Sequence, residues 1–191
     1  PTIGNILRNV GSMENKGVEF TLNTVNVKND NFNWNTNFNI SFNKSKINAL
    51  YYMPIKDDVS IEGIGNKIVR FTKGQPLSVF YGYKMIGVNP QDGKIMYADL
   101  NGDGEITDSG DRTFIGNPNP DFTFGFTNNF TYKNWYLDTL ITGSVGNDIY
   151  NASRFELELM NDFKNQSTVV LNRWTTPGQI TNVPKAGSTE I

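Results

Sequence analysis

Residues 31–43, NFNWNTNFNISFN, alternate without a break. Phe32, Trp34, Thr36, Phe38, Ile40 and Phe42 share one parity, and Asn33, Asn35, Asn37, Asn39, Ser41 and Asn43 share the other. Successive side chains of a strand point to opposite faces, so this stretch predicts one long strand with a bulky apolar face and a wholly polar one. Strands of water-soluble sandwiches alternate too, but they average about 5 to 6 residues. This run is about twice that length, its apolar face is largely aromatic, and its polar face is almost all asparagine. A strand that crosses a bilayer needs about 9 to 11 residues when tilted, apolar toward lipid and polar toward a wet interior. The run meets both demands.

The design recurs in 121–132, where Phe122, Phe124, Phe126, Phe130 and Tyr132 fall on one face and Thr123, Gly125, Thr127, Asn129 and Thr131 on the other. Lys133 and Asn134 read as a tight turn. Trp135, Leu137, Thr139, Ile141 and Val145 then alternate against Tyr136, Asp138, Thr142 and Ser144, with Leu140 out of pattern. Upstream, 17–28 reads as a strand with Val18, Phe20 and Leu22 in phase. Val25 and Val27 switch parity, which predicts a bulge near Asn23 and Thr24. The Asn-Asp-Asn of 29–31 tolerates left-handed backbone and closes a second hairpin. The expectation is two long hairpins of spanning strands, at about 17–28, 32–43, 121–132 and 135–145.

Between and after the hairpins the period breaks up. Residues 44–120 form a long irregular excursion that carries Tyr51, Tyr52, Phe80, Tyr81 and Tyr83, with a short strand expected at 67–72 and another in 75–88, against which 93–98 pairs. Residues 146–191 form a second excursion. Within it, 153–164 fits a short helix by the capping-box spacing of Ser153 and Glu156, and fits a strand by the alternation of Phe155, Leu157 and Leu159. The segment DLNGDGEITDSGD, 99–111, places Asp99, Asn101 and Asp103 at positions 1, 3 and 5 of an EF-hand-like loop, with Gly104 at 6 and Ile106 at 8. Position 12 is Gly110, and the next carboxylate, Asp111, comes one residue late. Two readings stay open: a calcium ion held by Asp99, Asn101, Asp103, Glu105 and Asp111, or an Asp/Asn/Gly turn that needs no metal.

Composition narrows the function. Apolar residues make up 37% of the chain, below the roughly 45 to 50% of ordinary globular domains, while aromatics reach 13%; strands with one wet face produce this balance. No apolar run reaches the about 18 residues of a membrane helix. The net charge of −2 with no basic stripe argues against a nucleic-acid surface. Histidine and cysteine are both absent, which removes the commonest general base, nucleophile and soft metal ligands, so no enzyme is expected.

Loop length orients the strands, because outer-membrane barrels have short periplasmic turns and long extracellular loops. The turns at 29–31 and 133–134 are expected on the periplasmic side, and 44–120 and 146–191 outside. The strand ending near Asn43 runs outward and the one starting near Asp121 runs inward, so an even number of crossings, most simply zero, separates them. An open four-stranded sheet leaves edge N–H and C=O groups unsatisfied in lipid, and bacterial barrels start at 8 strands. The segment is therefore expected to be part of a larger barrel.

Several phrases of the sequence carry a resemblance: NVGSMENKGVEF (9–20), FNWNTNFNISFNKSKI (32–47), GQPLSVFYGYK (74–84), DLNGDGEITDSGDRTFIGNPNPDFTFGF (99–126) and NRWTTPG (172–178). In order and spacing they resemble the C-terminal part of the barrel of SusC/RagA-type TonB-dependent outer-membrane transporters. The resemblance implies an all-β fold, a segment of a 22-stranded antiparallel transmembrane β-barrel with long extracellular loops, in the outer membrane of a Gram-negative bacterium. It implies uptake of glycans or peptides, a SusD-like surface lipoprotein as partner, and energy from a TonB complex. The plug and the TonB-contacting region have no counterpart in these residues, and closing strands are expected beyond Ile191. In the family the acidic segment usually runs straight from the glycine-aspartate core to Asp-Arg; here Ser109 and Gly110 lengthen it.

On this expectation Asn33, Asn35, Asn37, Asn39, Thr123, Thr127, Asn129 and Thr131 face the lumen. Phe32, Trp34, Phe38, Ile40, Phe42, Phe122, Phe124, Phe126, Phe130, Trp135, Leu137 and Ile141 face lipid. Tyr51, Tyr52, Phe80, Tyr81 and Tyr83 are candidate contacts for a lid or substrate. The competing expectation is a soluble extracellular all-β module that binds calcium and carbohydrate.

Overall fold

The computed structural model describes residues 11–50, 58–60 and 67–187. Four long strands dominate it: β1 (Gly11–Lys28), β2 (Phe32–Leu50), β9 (Phe122–Tyr132) and β10 (Trp135–Val145). They form one antiparallel sheet in the order β1-β2-β9-β10, so the two hairpins lie side by side with nothing between them. Asn29 closes the first tight turn by accepting from the backbone N–H of Asn31 at 3.0 Å and Phe32 at 2.8 Å. The second turn places Lys133 at φ 53°, and its N–H donates to the Asn31 carbonyl at 2.9 Å, tying the two turns together.

Register sets the faces, since residues directly opposite in an antiparallel pair lie on the same side. Phe42, Ile40 and Phe38 of β2 face Val18, Phe20 and Leu22 of β1. On the other side Ile40, Phe38, Trp34 and Phe32 face Phe124, Phe126, Phe130 and Tyr132 of β9. The register of β10 then sets Ile141 against Phe126, Leu137 against Phe130 and Trp135 against Tyr132. The parity switch in β1 lies later than expected, between Val25 and Val27 rather than at Asn23 and Thr24. One extra residue there leaves Val25 with Asn35 on the polar face and carries Val27 back to Trp34 on the apolar one, which restores the alternation.

The remaining strands are short. β3 (Asp58–Ser60), β4 (Lys67–Arg70), β5 (Val79–Tyr83) and β8 (Arg112–Gly116) make a second sheet in that order, and β6 (Met85–Val88) pairs with β7 (Ile95–Tyr97). The single strand-like stretch at 75–88 is therefore two strands in two sheets, with Ser78 at φ 61° just before the first. Of the two readings of 153–164 the structure takes the helix, over a shorter span: α1 (Ala152–Glu158), capped at Asn151 without a side-chain hydrogen bond. Ser153 lies inside the helix, so the capping box does not form. A 3-10 helix follows at Thr168–Asn172.

The chain divides into two compact units, 1–59 with 69–79 and 116–148, and 60–68 with 80–115 and 149–191. The first contains the four-stranded sheet. Among the described residues only Ile47, Val79, Val88 and Val170 are buried apolar side chains. Among the described residues no layer packs on the apolar face of the sheet: Val18 is 69% exposed, Phe20 53%, Leu137 58% and Ile141 57%.

Candidate functional site

The sheet's two faces differ in chemistry along its whole length. On the apolar face, aromatic rings stack across the β2–β9 seam: Trp34 on Phe130 with centroids 5.6 Å apart, Phe38 edge-on to Phe126 at 6.5 Å, and Phe42 on Phe122 at 5.6 Å. Such pairs add about 0.5 to 1.5 kcal/mol each beyond the area they bury. Gly143 leaves room for a further ring of this face, since a Cβ there would stand 2.3 Å from the Phe124 ring.

The polar face is a lattice of amides and hydroxyls. Asn37 donates to the Asn23 side chain, and Asn129 donates to Asp138 at 2.7 Å. Asn33, Asn35, Asn39, Thr123, Thr127 and Thr131 share this face by register. Tyr136 and Leu140 join it, opposite Thr131 and Thr127. Leu140, out of pattern in the sequence, is thus an apolar residue on the polar side.

One feature escapes the sequence pattern. Asn128 lies on the apolar face, in a row with Thr36 and Thr139, and is only 7% exposed. Its Oδ1 accepts from the Trp34 indole N–H at 3.0 Å and from the Thr36 hydroxyl at 2.7 Å. The bulge residue Asn26 extends the network by donating to Thr36 Oγ1 at 2.6 Å. Period two puts Asn128 on the face of Phe126 and Phe130, but the partners that make an amide tolerable there lie on another strand and are not encoded in the spacing.

The excursion residues divide. Tyr51 and Tyr52 lie outside the described residues. Tyr81 packs edge-on to Phe114 at 5.4 Å and carries the Arg112 guanidinium over its ring at 5.0 Å. Phe80 packs on Tyr150 at 6.1 Å, and Tyr83 on Tyr97 at 5.4 Å. The Tyr83 hydroxyl donates to Asp108; burial first, and then that carboxylate, push its phenol up to about 12. Each of the three described aromatics therefore already has a ring partner within the protein.

In the acidic loop, Asp111 is the fully buried residue. Its Oδ1 accepts from Leu100 N at 2.7 Å and its Oδ2 from Thr107 N at 2.8 Å. These N–H groups, Thr107 first, hold its carboxyl below the usual aspartate value. Asp99 accepts from Gly102 N and Gly104 N, Asn101 from Asp103 N, and Asp103 from Glu105 N. Among the described residues no group of three or more Asp, Glu, His or Cys side chains is gathered as for a metal ion. The loop is held by side chain to backbone bonds of the Asx type.

A four-stranded antiparallel sheet with one open aromatic face and one amide-lined face is a strip of an outer-membrane β-barrel wall, and the comparisons agree. The TonB-dependent receptor P3 of Formosa agariphila is 36% identical over 94% of this chain and 19% of its own length. P26 of the same organism is 37% identical over 97% of this chain and 20% of its own length, and SusC of Bacteroides thetaiotaomicron is 31% identical over 75% of this chain and 15% of its own. The solved RagAB peptide transporter superposes with a TM-score of 0.75 at 25% identity, covering 94% of this chain and 20% of that one. The RagAB importer in its open-open state gives 0.73 at 26% identity, over 96% and 20%. No protein-family model matches. The chain belongs to the SusC/RagA type of TonB-dependent outer-membrane transporters. It spans about a fifth of the length of the curated relatives it matches, and these relatives are receptors and transporters, not enzymes.

Proposed function

We propose that this chain is part of the barrel wall of an active importer that takes up oligosaccharides or peptides, working with a SusD-like surface lipoprotein and energised by a TonB complex that contacts a region outside these residues. The observation that carries the reading is the open apolar face: in water, half-exposed rings across four strands cost hydrophobic free energy, whereas in a bilayer they meet lipid. The Asn and Thr face then lines the lumen. There, amides and hydroxyls offer both donors and acceptors to a polar cargo without a fixed charge to trap it. The substrate class and the lipoprotein partner rest on the names of the SusC and RagAB relatives.

The test is a buried charge. Phe38→Arg or Phe126→Arg in the full-length protein places a guanidinium near mid-bilayer at about 2 to 4 kcal/mol, and outer-membrane assembly is expected to fall, measured as heat-modifiable barrel recovered from membranes. Assembly equal to the parent contradicts the lipid assignment.

A calcium ion in the 99–111 loop would draw on Asp99, Asn101, Asp103, Glu105 and Asp111, of which Asp99, Asn101, Asp103 and Asp111 already accept backbone N–H bonds. Hydrogen exchange of the loop amides decides this: slowing with added calcium supports an ion there, and unchanged exchange at millimolar calcium removes the ion from the account.

A further inference from the structure

Just past the last rings of the apolar face, the same face turns basic. Lys44 and Lys46 continue the parity of Phe42. Pairing sets Lys16 opposite Lys44 and Glu14 opposite Lys46, immediately beyond Val18 opposite Phe42. All three lysines are exposed. Lys16 forms a salt bridge with Glu14, whose carboxylate also accepts from Asn48 at 3.5 Å. Lys46 lies in the electrostatic field of the same carboxylate, but neither Lys44 nor Lys46 has a salt bridge among the described residues. Lys16 and Lys46 thus share one carboxylate, and Lys44 stands opposite Lys16. Glu19, the other acidic residue of β1, lies opposite Ser41 on the polar face, and Asp121 lines an adjoining groove that also touches Lys44 and Lys46.

Like charges directly opposite in an antiparallel pair destabilise it, so Lys16 against Lys44 is an arrangement that an anion relieves. A groove of about 550 Å³ runs along the cluster, lined by Val18 and Phe42 and by Lys16, Lys44 and Lys46 together with the Glu14 carboxylate. One residue pair along a strand is about 6.8 Å, or roughly 5 Å along the membrane normal for a tilted strand, so the ammonium groups stand at headgroup depth above the apolar band. This end of the sheet is opposite the tight turns and therefore faces the outer leaflet.

We propose that Lys16, Lys44 and Lys46 bind the phosphate of a phosphorylated glycolipid of the outer leaflet, with its acyl chains lying along Val18 and Phe42. The assignment rests on the lipid-facing reading of the apolar face. Its particular claim is that the barrel exterior carries a cationic headgroup site at the outer end of β1 and β2.

The full-length protein in phosphatidylcholine nanodiscs, titrated with bisphosphorylated or dephosphorylated lipid A and read by native mass spectrometry, tests it. The parent is expected to retain the phosphorylated lipid about tenfold or more over the dephosphorylated one, as two uncompensated lysines at a membrane surface imply. Combining Lys16→Gln, Lys44→Gln and Lys46→Gln is expected to abolish that preference, and Lys44→Gln alone to reduce it. Lys133→Gln, at the opposite end of the sheet, keeps it. Equal retention of both lipids by the parent, or an unchanged preference in the triple variant, overturns the site. Displacement of the lipid by millimolar inorganic phosphate also overturns it, leaving a free-anion site. Failure of the parent to enter nanodiscs is a separate outcome, which contradicts the membrane reading itself.

Discussion

Asn128 shows how a polar residue is tolerated on a face built for lipid. An amide in hydrocarbon is costly unless its groups are bonded, and here the carbonyl oxygen takes two donors, from Trp34 and Thr36, both reached across the β2–β9 seam. The same bonds mark the register. A slip of one residue between hairpins would turn every ring to the wrong face, but a slip of two preserves the alternation, and the aromatic pattern alone does not forbid it. Such a slip would part Asn128 from both donors. Asn128→Leu is expected to destabilise the assembled barrel because it strands the indole N–H and the Thr36 hydroxyl. Thr36 also accepts from Asn26, so adding Thr36→Val together with Asn26→Val removes the stranded hydroxyl and the donor bonded to it, and this triple variant should recover about 1 kcal/mol over Asn128→Leu alone in denaturant unfolding from bilayers. No recovery means that the Thr36 bond contributes nothing there.

At the scale of elements, the 99–111 loop depends on one carboxylate, and its response to acid follows from the sign of the shift. The ordinary aspartate value is 3.8, and Asp111 in the folded loop lies below it. The stabilisation is therefore complete above that ordinary value and is lost as pH falls through the lower folded value. Exchange of the Leu100 and Thr107 amides is expected to be slow at neutral pH and to accelerate only below the ordinary aspartate range. Asp111→Asn should bring the fast exchange to neutral pH, since an amide offers one acceptor oxygen where the carboxylate uses two. Acceleration already between pH 5 and 7 would contradict this.

The elements also show what was legible in the sequence. β2, β9 and β10 were readable because a period of two over ten or more residues has one structural meaning, and the Asn-rich and Lys-Asn turns had a mechanism. The apolar pattern ends β2 too early: past Asn43 its alternation continues in lysine, serine and asparagine, which hydrophobicity does not register, although the strand runs to Leu50. The break between β5 and β6 was hidden because the run passes from Tyr83 through Lys84 into Met85 and Ile86 with no Gly or Pro at the junction, whereas the structure puts the two strands in different sheets. In the sequence Asp111 is only a carboxylate one place late for a cation. Its burial is a tertiary fact that spacing does not encode. The packing of Trp174 was not legible either: it donates its indole N–H to the Pro90 carbonyl at 2.9 Å and packs where a Cβ on Gly93 would stand, with that glycine at φ 71°.

At the scale of the whole molecule, everything turns on which face meets water. This segment has no cysteine of its own, so single cysteines introduced along β2 and β9 of the full-length protein report each position in turn. The measurement is the labelling rate of each variant, assembled in outer membranes, with a charged, membrane-impermeant maleimide and with a lipid-soluble one. Cysteines at Asn35, Asn37, Asn39, Thr127 and Asn129 are predicted to favour the charged reagent, and those at Phe38, Ile40, Phe124 and Phe126 the lipid-soluble one, with preference alternating residue by residue. A uniform preference along either strand, or the opposite alternation, would contradict the placement of the aromatic face in lipid.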